Sequence, residues 1–515
     1  MMRRLPVIAC DAGTLAAWIA AGVVLAAGAV ESVWGLLQLG GLAEPGHALY
    51  AVTGSFFNPG PYGCFLGMTA PLALALALGD GRLLRHIGRA CLLLMAAPLS
   101  ASMSRTGWMA AVAGCLLTWL MMRRRRIGIR LRRLMVALGR RKFRLAVLAV
   151  SLAVCGAVCG SLCALYALKP ESAQGRLLIW KVGMLTLRDA PLWGVGREYV
   201  AGAYGEAQER YFMTHDGMAS GEGMVAGAPE YLFNEYLQVG VACGPAAMAG
   251  FILLVAFTIY AGIRGRRCGL AGAATAFAIV CLASYPLRFP IFMICGTLIA
   301  VGCAAGPWTR NLLTRVDVAA AMAVILTLLC VDSIPVPDTE GRARDLFARG
   351  LACHRARRYA ESDSLMLETL RISSDPMPLN ILGKNAQARG LYHDAERFFR
   401  RASWRKPSAL YPHYLQMLLH AENGHNERAA DEARIILEMP TKVDSPAERD
   451  IRKAAMLRVK SEEARVKIEE ARVKEEAARL EREKERFMNG EMTLEESVLY
   501  VLRHTTPTSE LPMTY

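Results

Sequence analysis

Up to residue 334 the chain is a succession of nine apolar stretches, at about 14–39, 61–79, 88–103, 106–122, 145–168, 234–260, 269–285, 289–305 and 316–334. A helix that crosses a bilayer core needs roughly 17 to 25 apolar residues, because every backbone N–H and C=O must be satisfied within it. The stretches have about that length, so an all-α polytopic bundle is expected. Only Ser104 and Arg105 separate the third from the fourth. Hydrophobic residues make up 54% of the 515, more than a soluble protein carries, and the excess lies before residue 334.

Basic residues orient the bundle. Residues 123–144 hold eleven Arg or Lys and no acid, which assigns that segment to the cytoplasm, since basic loops are retained there. Counting outward, Arg3 and Arg4, Arg82 with Arg85 and Arg89, Arg264 with Arg266 and Arg267, and Arg310 with Arg315 all fall on the same side, in short basic loops. The net charge of +15 is therefore mainly a topology signal rather than a nucleic-acid footprint. The opposite face receives residues 40–60, the Ser104–Arg105 turn, 169–233, the turn at 285–288 and everything after 334.

The apolar run near Met1 is too long for the core of a cleaved signal peptide, so it is expected to stay as the first span. Cys91, Cys115, Cys155, Cys159, Cys163, Cys281, Cys295, Cys303 and Cys330 all fall inside expected spans, where they act as small hydrophobes. No His/Cys cluster has ligand spacing, so no metal is expected.

Beyond Pro335 and Pro337 the composition turns polar, and helical patterns recur with a period near 34: Gly390 and Gly424, Ala395 and Ala429, with Pro376, Pro407 and Pro440 between units. The period and content lead to tetratricopeptide-like repeats over 342–441. Residues 446–488 then read as one long charged helix, dense in intrahelical ion pairs, with a weak seven-residue repeat that hints at a coiled coil. Residues 489–515 are left as a tail.

The segment 169–233 is the longest polar interruption among the spans, and loops of that size on a rigid scaffold carry binding and chemistry. Arg105, Arg176, Arg197 and Arg288 are expected at this outer face, where guanidinium groups near hydrocarbon require water or an anion, and where several together suit phosphate or pyrophosphate oxygens. Arginines at helix ends also reach lipid headgroups for purely structural reasons.

Five motifs in order carry a resemblance. They contain Asn58, Pro59 and Tyr62; Ser102, Arg105 and Trp108; Gly175, Arg176 and Trp180; Asp189, Pro191, Gly194 and Gly196; and Asn234, Glu235, Tyr236 and Gln238. Together, over roughly residues 15–305, they resemble the O-antigen ligase and polymerase family of membrane glycosyltransferases. The resemblance implies a cofactor-free, metal-independent inverting enzyme of the bacterial inner membrane. It would take a glycan from undecaprenyl diphosphate at the periplasmic face and join it to an acceptor: lipid A core, a growing glycan or a protein hydroxyl. It assigns Arg105, Arg176 and Arg197 to the diphosphate, with Asn58, Trp180, Asn234, Tyr236, Gln238 and Arg288 in support. The family histidine before Asn-Glu is Phe233 here, which leaves Glu230, Glu235 and His215 as candidate bases, Glu230 first by position. The C-terminal repeats, expected in the periplasm, would bind a protein partner. A transporter and a non-catalytic repeat scaffold are the readings from other classes; a transporter would place charges within spans, and Glu31 is the exception there.

Overall fold

The computed structural model describes residues 12–168, 170–216, 221–305, 339–440 and 445–505, and these are helical throughout, with no strand among them. They divide into two compact units, residues up to 385 with 401–408, and residues 386–400 with 409 onward.

The first unit begins with α1 (Ala12–Leu39), α2 (Pro59–Leu78) and α3 (Arg82–Ala101), all long and apolar enough to span. α2 is the buried centre, because glycines on its surface let neighbouring backbones approach. A Cβ on Gly107 would lie 2.4 Å from the Gly63 carbonyl. Small residues at such crossings supply the close packing that hydrophobicity cannot supply inside lipid.

The expected spans at 106–122 and 145–168 and the basic segment between them are helical over Arg105–Leu168 (α4), as two helices that meet at Gly139, whose φ of 71° and ψ of 157° are non-helical. Charge alone does not break a helix, and Arg and Lys are good helix formers. The long polar segment is also mostly helical, as α5 (Pro170–Asp189), α6 (Val200–Thr214) and the single turn α7 (Glu222–Val225). The expected span at 234–260 divides at Gly244 into α8 (Glu235–Cys243) and α9 (Pro245–Arg264), of which α9 has spanning length. α10 (Cys268–Ala283) and α11 (Pro290–Ala304) are shorter apolar helices. The ninth expected span, 316–334, lies outside the described residues.

The connections of this bundle gather in two separate groups. At one end Phe56 meets Phe289 at 5.3 Å, the Ser104 hydroxyl donates to Gly60 O at 3.0 Å, and Arg176 donates to Ala283 O at 3.0 Å. At the other, Arg267 donates to Ala305 O at 2.5 Å and Thr118 to Cys268 O at 3.1 Å. The acid in the first span is accounted for locally: buried Glu31 accepts from Ser55 N at 3.0 Å and from the Ser55 hydroxyl at 2.5 Å, pinning the loop before α2.

Helices α12 (Thr339–Arg355) and α13 (Tyr359–Ile372) pack on one another and on the loop end of the bundle. Arg342 bonds Glu198 at 2.9 Å, Ser374 donates to Pro229 O at 2.9 Å, and Gly202 sits so close to Arg371 that a Cβ would come within 2.1 Å of its carbonyl oxygen. Gln208 donates to Arg405 O at 2.5 Å, and Glu209 receives Arg401 and, at 3.6 Å, the buried Arg405.

The second helix pair is α14 (Met377–Ala388) and α15 (Tyr392–Arg405), the third α16 (Leu410–Glu422) and α17 (Asn426–Glu438). Gly390 and Gly424 occupy equivalent turns, both at positive φ. In the second unit Ala395 and Phe399 pack with Leu415 and Leu419. The charged helix is α18 (Pro446–Met488), capped by Ser445 accepting from Glu448 N, and the region read as a tail contains a further helix, α19 (Leu494–Thr505).

Candidate functional site

α4 starts at Arg105, directly after a turn in which Met103 takes a positive φ. That turn aims Arg105 at α5, and its Nη2 donates to the Ser172 hydroxyl at 3.1 Å. One helical turn further along α5, on the same face, Arg176 donates to the Thr106 hydroxyl at 3.1 Å and to the Ala283 carbonyl that ends α10 at 3.0 Å. Two segments 70 residues apart thus deliver Arg105 and Arg176 to one place. Burial and the neighbouring Arg105 hold the Arg176 guanidinium below its ordinary value, only partly offset by nearby Cys64 and Tyr285. Its partners are a hydroxyl and a carbonyl; among the described residues no carboxylate pairs with it.

Phe233 forms the wall beside this pair. Its ring lies 5.5 Å from the Arg176 guanidinium carbon, and its φ of 51° is a strained conformation for a bulky residue. Trp180 donates to its carbonyl at 3.4 Å. From Phe233 the rings continue to Tyr285, edge to face at 5.1 Å, and to Tyr231, stacked on Tyr285 at 5.0 Å, where Arg288 covers the far face at 5.6 Å.

Arg197 is on the other side of these rings. The segment before it is fastened by backbone: Val195 N donates to Val241 O and Gly196 N to Ala242 O, both at 2.9 Å. Gly194 and Gly244, at φ 82° and 93°, allow that approach, since a Cβ on Gly244 would lie 2.0 Å from Leu192 O. The glycines of the 189–197 motif therefore serve register, and they set Arg197 on a cavity of about 650 Å³ shared with Glu230, Glu235, Arg288, Arg344 and Phe347. Arg105 and Arg176 do not line it.

Of the three candidate bases, Glu230 and Glu235 reach this cavity. Glu230 is exposed, whereas Glu235 is buried and accepts from Leu287 N at 2.8 Å. Burial pushes the Glu235 carboxyl up to about 7 against that bond and the nearby Arg197. His215 is exposed at the end of α6, stacked on Tyr211 at 4.3 Å, in a group where Lys181 and Glu222 bond each other at 2.9 Å.

Of the supporting residues, Gln238 and Arg288 line the same cavity, and several have structural partners. Asn58 caps α2 by accepting from Gly60 N at 2.8 Å, and Asn234 caps α8 by accepting from Leu237 N at 3.0 Å. Tyr236 donates to Ala278 O at 3.1 Å, and Gln238 accepts from Leu232 N at 3.0 Å. Sequence reasoning did not single out Ser172, Thr106, Tyr231 or Tyr285, whose roles arise from contacts between distant segments.

The described residues thus form an apolar helical bundle with Arg105 and Arg176 side by side at its loop-covered end. Residues 90–252 match the family model described as O-antigen ligase, a stretch that contains Arg105, Arg176, Arg197, Glu230 and Glu235. This stretch, and with it the loop-covered end of the bundle, is thus similar to the O-antigen ligase family of membrane enzymes. No curated protein and no solved structure matches it.

Proposed function

We propose that the chain transfers a glycan from an undecaprenyl-diphosphate carrier to an acceptor hydroxyl at the periplasmic face of the bacterial inner membrane, without a metal ion and with inversion. The observation that carries this reading is Arg176, a half-buried cation next to Arg105 that is held by neutral groups. Such a pair is prepared for an anion with several oxygens, and guanidinium forks suit a diphosphate.

In the reaction the acceptor oxygen forms a bond to the anomeric carbon as the bond from that carbon to the diphosphate oxygen breaks. The electron pair leaves with the carrier diphosphate, whose growing charge Arg105 and Arg176 neutralise. Glu235 stands in the neighbouring cavity that Arg105 and Arg176 do not line, so the hydroxyl proton reaches it through the solvent of that cavity; its carboxyl, pushed up to about 7, lies in the range in which a base is both ionised and strong enough to act. Phe233, in place of the family histidine, contributes a ring wall rather than a proton acceptor. The place of Glu31 supports an enzyme over a transporter, because it pins a loop instead of facing a path through the bundle.

In the parent bacterium, deletion of the gene is expected to accumulate carrier-linked glycan. Complementation with Arg105→Ala or Arg176→Ala should leave that accumulation in place while the protein remains in the membrane. Normal surface glycan and normal glycoproteins in the deletion strain overturn the proposal.

A further inference from the structure

The cavity that holds Glu235 is closed on one side by helices that lie beyond the spans. Glu340, Ala343, Arg344 and Phe347 recur at three- and four-residue spacing, so α12 turns one continuous face to it, and Asp375 after α13 adds a further carboxylate. The opposite wall carries Tyr231, Arg197 and Arg288. This second wall is held by the contacts of Arg342 with Glu198 at 2.9 Å, Ser374 with Pro229 O at 2.9 Å, and Gly202 against the Arg371 backbone.

We propose that α12 and the start of the C-terminal helical region form one wall of the acceptor site, and that this wall selects a saccharide as acceptor. The inference rests on the transfer reading above. The lining mixes carboxylates and guanidinium groups with the ring of Phe347. Vicinal hydroxyls need donors and acceptors close together, and the carbon face of a sugar ring suits an aromatic side chain. At about 650 Å³ the space is of small-ligand size. Glu340 and Arg344 bond each other at 3.3 Å across one helical turn, which presents both to the cavity in a fixed relation.

The test uses the full chain in detergent micelles, with carrier-linked glycan extracted from deletion cells as donor. The acceptor is either core glycolipid or the periplasmic protein fraction of the same cells. Wild type should label the glycolipid. Arg344→Ala and Phe347→Ala should raise the acceptor KM about tenfold, the size expected when a charged hydrogen bond or a ring contact is lost, with the donor KM unchanged. Phe347→Tyr, which keeps the ring, should restore the wild-type value and shows that the loss is not a folding defect. Acceptor KM values unaltered in both alanine variants, a change in donor KM instead, or label found on protein rather than glycolipid would each overturn the inference while leaving transfer itself standing. A wild-type enzyme that leaves the donor unconsumed with both acceptors would overturn the transfer reading and this inference with it.

Discussion

Glu235→Gln is the substitution with the most definite expected result. The side chain keeps its size, and its amide oxygen can still accept the Leu287 N–H that Glu235 accepts at 2.8 Å. What disappears is the charge. Folding raises this carboxyl from 4.5 to about 7 because it is buried. A raised carboxyl stabilises the folded chain fully below its unfolded value, and the stabilisation is lost as pH climbs through the folded one. Between pH 4.5 and about 7 the native state retains a proton that the unfolded state has released. At 1.36 kcal/mol per pH unit, ionisation above that window costs the folded state about 3 kcal/mol. Thermal unfolding in detergent should therefore find Glu235→Gln close to wild type near pH 4.5 and increasingly more stable than wild type toward pH 8. Transfer should show the opposite pattern. Wild-type kcat/KM should fall about tenfold for each pH unit below 7 as the base is protonated, and the glutamine variant should be inactive throughout. A stability difference that does not change with pH, or a glutamine variant with the wild-type rate, refutes the assignment. Loss of activity and of the pH profile in Glu230→Gln alone would move the base to the exposed rim.

Arg176→Lys should fail to restore transfer lost in Arg176→Ala, because with Nη1 engaged by Thr106 and Ala283 the guanidinium still has further N–H donors to offer a diphosphate, which a point-like ammonium lacks; carrier-linked glycan measured in cells checks this. Glu31→Ala orphans the Ser55 N–H and hydroxyl and should cost about 3 kcal/mol, read as a lower unfolding midpoint with no change in donor KM. Gly202→Val has no room against Arg371 and should release α12 and α13 from the loop end of the bundle, seen as faster protease cleavage beyond residue 338. A reporter fused after residue 340 should be active only if it folds in the periplasm; cytoplasmic activity would reverse the orientation on which the reaction's location depends.

Apolar helices were legible because length and hydropathy are local properties of a helix, and the charged helix at 446–488 was legible through its uniform polarity and its seven-residue repeat. Continuity was harder to read. The run at 234–260 is apolar throughout, so hydropathy passes over the break, although Gly244 followed by Pro245 marks it in hindsight. The basic segment at 123–144 was assigned to a loop because polarity was taken as a break, yet its residues favour helix. At the site, motif order placed Arg105 and Arg176 on one face, and the structure brings them together. Arg197 followed from the same reasoning but faces a different space, since the glycines beside it answer to backbone approach. The ring sequence of Phe233, Tyr285 and Tyr231, and the cavity face of α12, join segments that no local pattern relates.

The two backbone bonds that tie Val195 and Gly196 to Val241 and Ala242 have a mechanical consequence. They join the segment before Arg197 to the end of α8, and only Gly244 separates α8 from the span α9. A span answers a thinner or thicker hydrocarbon layer by changing its tilt. Because the attachment is by main chain, with no long side chain to absorb the motion, that tilt is passed on to the loop carrying Arg197. On the proposed transfer reading, lipid acyl length is then expected to act on the reaction, and vesicles of graded chain length should give a graded turnover that detergent micelles do not reproduce.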